Sequence, residues 1–424
     1  MAGRTVAMDK REFLRTLGGV TVSALLGERL AARCAALPPA VLAEDEAFWA
    51  EIRTRYELPA DRIDLEQGYY SRMARPVLDA FTQHARTVNR DAAFYMRTRQ
   101  ADDKLAARTV IAQLAGCSAE ELIVTRNTTE SLDTVIAGHD WKAGDEAVMA
   151  QQDYGAMLDM FALQARRYGM QNRLVSLPMD PRSDDELVTL YSNAITAKTK
   201  LLMICHLVNI TGQILPVRKI TAMAHEKGVP VMVDGAHAFA QLDFKIPELG
   251  CDYYGASLHK WLGCPLGAGL LYVKKERIGR LWPIYGDRSC ADTDIQKLNH
   301  TGTHPVHTDL AITDAWAFHH SLGSARKEAR LRFLQQYWTN KVRGMAKVVL
   351  FTPSDPQRTC AIATVGIEGM APAALAKLLL QRHRIFTVAI DNVGVHGVRV
   401  TPHVYTTLAE LDALVAALLQ LAAG

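Results

Sequence analysis

Long uninterrupted apolar runs are missing from this 424-residue chain, and no stretch offers the roughly 20 consecutive apolar residues that a membrane-crossing helix needs. A transmembrane helix is not expected. Charge of one sign is also lacking: 48 Lys and Arg stand against 45 Asp and Glu, for a net charge of +3. No basic run interleaved with aromatics marks a nucleic-acid groove. Cysteine occurs seven times but is scattered (Cys34, Cys117, Cys205, Cys251, Cys264, Cys290, Cys360), without a C-x-x-C pair or a histidine cluster at ligand spacing. Neither a disulfide framework nor a zinc site is expected. Repeats and low-complexity segments are absent too. What remains is a chain that is 49% hydrophobic and 22% charged, long enough for a large core and more than one domain.

The N-terminus has the order of an export signal, with Lys10-Arg11-Glu12-Phe13-Leu14-Arg15 ahead of a weakly apolar stretch from Thr16 to Leu26. Lys10-Arg11 resembles a twin-arginine signal whose first arginine is lysine. That route carries folded proteins, so periplasmic or exported localisation through the twin-arginine machinery is expected. The alternative is an amphipathic N-terminal helix of a cytoplasmic protein, and no A-x-A cleavage site follows. Residues 1–40 are read as signal and linker.

From about residue 100, helical stretches alternate with short apolar strands, the pattern of an α/β domain with a mostly parallel sheet. Strands are predicted at Glu121–Thr125, Glu146–Ala150, Leu201–His206, Val229–Asp234, Tyr253–Gly255 and Gly269–Val273. Helices are predicted at Ala106–Leu114, Thr129–Ile136 and Arg218–Glu226. Apolar runs without alternation indicate strands buried on both faces. Beyond about residue 305 come a helical region, a strand at Cys360–Ile367, a helix at Pro372–Gln381, strands around Phe386 and Val398, and a last helix at Leu408–Leu421. The division is a large domain over 41–305 and a smaller C-terminal α/β domain over 306–424.

Asp234 closes the apolar strand Val229-Pro230-Val231-Met232-Val233, and the carboxyl ends of strands in an open parallel sheet are where ligands bind. One strand later comes Ser257-Leu258-His259-Lys260-Trp261. Lysine between apolar neighbours is partly desolvated and becomes a nucleophile towards an aldehyde. A carboxylate nearby keeps a pyridine ring protonated and makes it an electron sink, the pairing expected for pyridoxal 5′-phosphate (PLP). Upstream, Arg126-Asn127-Thr128-Thr129-Glu130-Ser131 lies between a strand and a helix, where backbone N–H groups and hydroxyls bind an anion.

These residues resemble the aminotransferase class V family of fold-type I PLP-dependent enzymes over roughly residues 60–415. Asp-Gly-Ala-His at 234–237 leans towards the isopenicillin N epimerase-like branch, because desulfurases usually carry Gln at the last position. The resemblance implies that Lys260 forms the Schiff base, that Asp234 pairs with the pyridine nitrogen, and that His237 and Asn209 lie by the ring hydroxyl. It makes Thr128, Thr129, Ser257 and His259 phosphate ligands and stacks Tyr154 on the ring. Gly302-Thr303 resembles an element whose threonine reaches the phosphate of the neighbouring subunit, which implies a homodimer with shared active sites. Arg399, in Val398-Arg399-Val400-Thr401-Pro402-His403, matches the ligand of the substrate α-carboxylate, with Arg126 and Arg90 as the next candidates.

An amino-acid substrate follows, but the reaction stays open among racemase or epimerase, lyase and transaminase, in that order. A desulfurase needs a nucleophilic cysteine in the small domain, and none follows Cys360. A C–S lyase or desulfurase-like enzyme and a non-catalytic PLP-fold binding protein are the alternatives. Racemisation needs proton donors on both ring faces. Lys260 supplies one, with Tyr69, Tyr70 and His304 as candidates for the other.

Overall fold

The structure is a computed structural model that describes residues 25–423. Lys10-Arg11 and most of the apolar stretch after it lie outside the described residues. The first described helices, Glu28–Ala36, Pro39–Ala43 and Glu46–Arg53, bury Leu30, Cys34, Leu42, Phe48, Trp49 and Ile52. Asp45 caps the third of them by accepting from the Phe48 N–H at 3.1 Å. The Arg326 guanidinium donates to the Cys34 carbonyl, and the Arg330 guanidinium donates to the Ala43 carbonyl at 2.9 Å. Residues 26–40, within the 1–40 span expected as signal and linker, are therefore part of the packed body.

Strand β1 (Ile63–Asp64) leads into the helix Arg75–Thr98, broken at Ala92 where φ is +39°, and the helix Gln100–Ala115. The main sheet takes β2 (Leu122–Thr125), β3 (Glu146–Ala150), β4 (Gln171–Val175), β5 (Thr199–Cys205), β6 (Val231–Asp234), β7 (Tyr253–Ser257) and β8 (Gly269–Val273) in the order β2-β8-β7-β6-β5-β3-β4. Only β8 runs against its neighbours. The remaining pairs, β7 through β4, are parallel, so the expected α/β class with a mostly parallel sheet holds. Strands β3, β6, β7 and β8 are buried along their whole length, because helices cover both faces.

The small sheet is antiparallel, in the order β12-β13-β10-β9, with β9 at Val348–Leu350, β10 at Ala363–Ile367, β12 at Val388–Asn392 and β13 at Val395–Val400. The β12–β13 turn places Val393 and Gly394 at φ +48° and +76°, the left-handed pair of a two-residue hairpin. Leu334, Trp338, Leu375, Leu379, Leu411 and Leu418 form the core beneath it. Two connections depart from the division at residue 305. The helix Val306–Leu322 packs on the helices Arg75–Thr98 and Gln100–Ala115, so it belongs with the large domain. β1 pairs with β11 (Ile385–Phe386), and Glu66 bridges to Thr401, so the segment before residue 75 is stitched onto the small domain. Glu66, Tyr69 and Tyr70 are thereby carried to the seam between the domains.

Candidate active site

Asp234 ends β6 and Ser257 ends β7, on adjacent strands, so the acid and the lysine loop emerge side by side at the carboxyl edge of the sheet. Gly235 permits the turn: a Cβ there would lie 2.0 Å from the Tyr254 ring. Asp234 accepts from the Ala236 N–H at 2.9 Å. Burial raises its pKa, opposed by that N–H and by Lys260. A buried carboxylate of this kind gains most from a cationic partner such as a protonated pyridine nitrogen.

The lysine loop is held by three successive carbonyls. His259 O accepts from the Ser71 N–H at 3.2 Å, Lys260 O from the Ser71 hydroxyl, and Trp261 O from the buried Lys327 ammonium group. The Lys260 Nζ then lies 3.0 Å from His237 Nε2, while the Trp261 indole N–H donates to His237 Nδ1 at 3.4 Å. Indole is a donor only, so Nδ1 is the acceptor and the proton of the neutral imidazole sits on Nε2. That N–H faces the lysine nitrogen, which accepts from it in the uncharged amine form. The electrostatics bring that form within reach near neutral pH. Burial pulls Lys260 down to about 8, with Asp234 holding it up and Arg399 lowering it further. Burial, then Lys260 and Arg399, keep His237 far below the ordinary histidine range. A neutral amine is the form that attacks an aldehyde.

Beside the lysine, the helix Thr128–Gly138 presents its N-terminus, capped by the Asn127 side chain accepting from the Glu130 N–H at 2.9 Å. The Thr128 N–H donates to Ser257 Oγ at 2.9 Å, and the two hydroxyls are 2.7 Å apart. Gly269 in β8 lets this loop lie close, since a Cβ there would come within 2.6 Å of Asn127 N. His259 is buried with Nδ1 lacking any partner, and burial followed by Lys260 lowers it to about 4. A helix N-terminus, two threonine hydroxyls, a serine and an orphaned imidazole nitrogen fit a phosphate.

These groups line one cavity of about 300 Å³, within the range of small-molecule sites. It brings together Thr128, Thr129, Tyr154, Asn209, Asp234, His237, Ser257, His259 and Lys260 with Tyr69 and Tyr70. Tyr154 stands at the N-terminus of the helix Gly155–Tyr168 with its ring partly open to solvent, available to stack on a bound ring. Aldehyde, pyridine nitrogen and phosphate of PLP would each meet a matching group here.

Arg399 is placed differently from the expectation. It is fully buried on β13 and does not line the cavity. Its Nε and Nη2 donate to the two oxygens of Glu66 at 3.0 and 2.8 Å, and Nη1 donates to the Asn209 carbonyl at 3.2 Å. The Tyr69 ring covers the guanidinium, with its centroid 4.0 Å from the central carbon. Glu66 also accepts from the Gly68 and Tyr69 N–H groups at 2.8 and 2.9 Å. The sequence carried no signal for Glu66, a single acid in Leu65-Glu66-Gln67 whose partner lies 333 residues away.

Thr303 is exposed and outside the cavity. His304 also lies outside it, bonded to Asp309 at 2.9 Å, so within one chain it does not face Lys260. Arg90 pairs with Asp91 and Arg126 with Glu130, and neither lines the cavity. Of the cysteines only Cys205 does. Its thiol donates to the Leu207 carbonyl and is pushed far up by burial, then by Asp234 and Asp153.

Comparison with known proteins identifies the family. The chain is 30% identical over 393 residues to isopenicillin N epimerase from Amycolatopsis lactamdurans, covering 88% of this chain and 98% of that one. It is 26% identical to the isopenicillin N epimerase of Streptomyces clavuligerus, with 88% and 98% covered. A cysteine desulfurase from Thermococcus onnurineus shares the fold, with a TM-score of 0.78 and 20% identity over 88% of this chain and 98% of that one. The aminotransferase class V model matches residues 71–414, and the chain belongs to that family.

Proposed function

We propose that this enzyme is an amino-acid racemase or epimerase that removes and returns the Cα proton of its substrate. The observation that carries the reading is the cavity itself. It joins Lys260, whose pKa is brought down to about 8, to Tyr69 and Tyr70, while its one thiol is buried, bonded to a carbonyl and held protonated. A desulfurase has no thiolate to use in such a site. The family is PLP-dependent, and PLP, when bound, supplies the electron sink for the pair left at Cα when the proton departs.

The chain's own groups do the rest. Asp234 holds the pyridine nitrogen, and the helix N-terminus with Thr128, Thr129, Ser257 and His259 holds the phosphate. Lys260, brought down to about 8, can both take and release a proton near neutral pH on one side of Cα. Tyr69 or Tyr70, which share the cavity with it, delivers on the other side. Five N–H donors belong to a guanidinium. With three of Arg399's committed to Glu66 and Asn209, one remains on each terminal nitrogen. That is enough to hold an α-carboxylate once Tyr69 turns aside. Likeness to isopenicillin N epimerases supports epimerisation over sulfur removal.

The exposed Gly302-Thr303 supports a homodimer in which Thr303 reaches the partner's phosphate site. Export through the Lys10-Arg11 signal rests on the sequence. A reporter fused to residues 1–45 that stays cytoplasmic in a host with a working twin-arginine system would overturn it.

The reaction is tested by incubating single enantiomers of amino acids with the holoenzyme in deuterated water. Epimerisation puts deuterium at Cα and lowers optical purity without keto acid, ammonia or sulfide. Stoichiometric formation of any of those three products contradicts it.

A further inference from the structure

Resting on that reading, we propose that the substrate is an α-amino acid with an uncharged aromatic or aliphatic side chain, and that Glu66 is the residue that excludes acidic ones. Among the described residues of one chain, Lys260 is the only lysine or arginine lining the cavity, and it is committed to the cofactor. The two histidines in the wall, His237 and His259, are kept neutral. Arg399, the cation just behind the wall, is neutralised by a two-point contact with Glu66, both side chains being buried. Its two remaining donors suffice for one carboxylate and leave none for a second.

Within one chain, a side-chain carboxylate would thus enter a wall formed by Tyr69, Tyr70, Tyr154, Met157 and Leu266 with no free cation among the described residues to meet it. Desolvating an ion without a partner is strongly unfavourable. The same rings give an apolar or aromatic side chain a surface on which to bury itself. Specificity then comes from Glu66 holding the nearby Arg399 guanidinium neutralised as much as from the attractive wall.

The Cα-exchange assay is run on the holoenzyme with L-phenylalanine, L-leucine and L-methionine against L-aspartate, L-glutamate and L-2-aminoadipate. The first set should exchange with kcat/KM roughly 100-fold or more above the second. Equal or faster exchange of the acidic set overturns the inference. Calorimetric titration with 3-phenylpropionate and glutarate needs no turnover, and 3-phenylpropionate should bind roughly tenfold or more tightly. Selective binding of this kind without exchange of any amino acid would sink the epimerase reading and leave the specificity standing. Equal binding of the two acids would sink the specificity. Glu66→Gln, checked for folding by circular dichroism, should shift the acidic-to-apolar binding ratio by roughly tenfold towards the acid. An unchanged ratio in the folded variant removes Glu66 from the role.

Discussion

The Glu66–Arg399 pair joins three separate parts of the chain: the segment before residue 75, strand β13 of the small domain, and Asn209 of the large one. Arg399→Met would remove both ionic contacts and the Asn209 contact. Glu66 Oε1 would keep the Gly68 and Tyr69 N–H groups, whereas Oε2 would lose its recorded donor. Breaking a buried pair on one side costs about 3–5 kcal/mol, and the two surviving N–H bonds place the expected loss near the lower end, at about 3 kcal/mol. Glu66→Gln leaves the guanidinium without a counter-charge and should lose a similar amount. The double variant carries neither charge, so its loss should be close to that of either single one, a coupling of about 2–3 kcal/mol. Urea denaturation at pH 7 followed by two probes measures this, the second probe guarding against non-two-state unfolding of a two-domain chain. Losses that add to within about 0.5 kcal/mol would refute the reasoning.

Asp234→Ala should weaken PLP binding roughly 10- to 100-fold, the worth of one charge-assisted bond; an unchanged dissociation constant by absorbance titration removes the pyridine-nitrogen role. Lys327 is predicted to shape the pH dependence of stability. Burial takes it to about 7, while an unfolded lysine titrates near 10.4. Between those values the folded form holds fewer protons, so stability rises with pH across the window. Lys327→Met should remove up to about 5 kcal/mol of that rise, and parallel stability–pH profiles of the two proteins would contradict the buried position.

The strands at Glu146–Ala150 and Gly269–Val273 were legible to the residue, because burial on both faces writes an unbroken apolar run. β4 was not, since as the edge strand Gln171-Asn172-Arg173-Leu174-Val175 is largely exposed and reads as loop. The lysine, the acid and the phosphate loop were legible because each sits at a strand end or helix start with its neighbours in order. Glu66 was not, since a lone acid has no pattern until its partner is known. The Glu66 carboxylate in the Arg399 fork was not legible for the same reason: the arginine's sequence context marks a strand, not its partner. The helix Val306–Leu322 reads as the start of a new domain only if packing is ignored.

Everything assigned to this site depends on Lys260 being the amine that carries the cofactor. Borohydride reduction of the PLP-loaded protein, followed by peptide mapping, reads this directly. The cofactor should be found on the peptide containing Ser257-Leu258-His259-Lys260-Trp261, and Lys260→Ala should lose both the label and the visible absorbance. Label on any other lysine, or undiminished label in Lys260→Ala, would contradict the assignment.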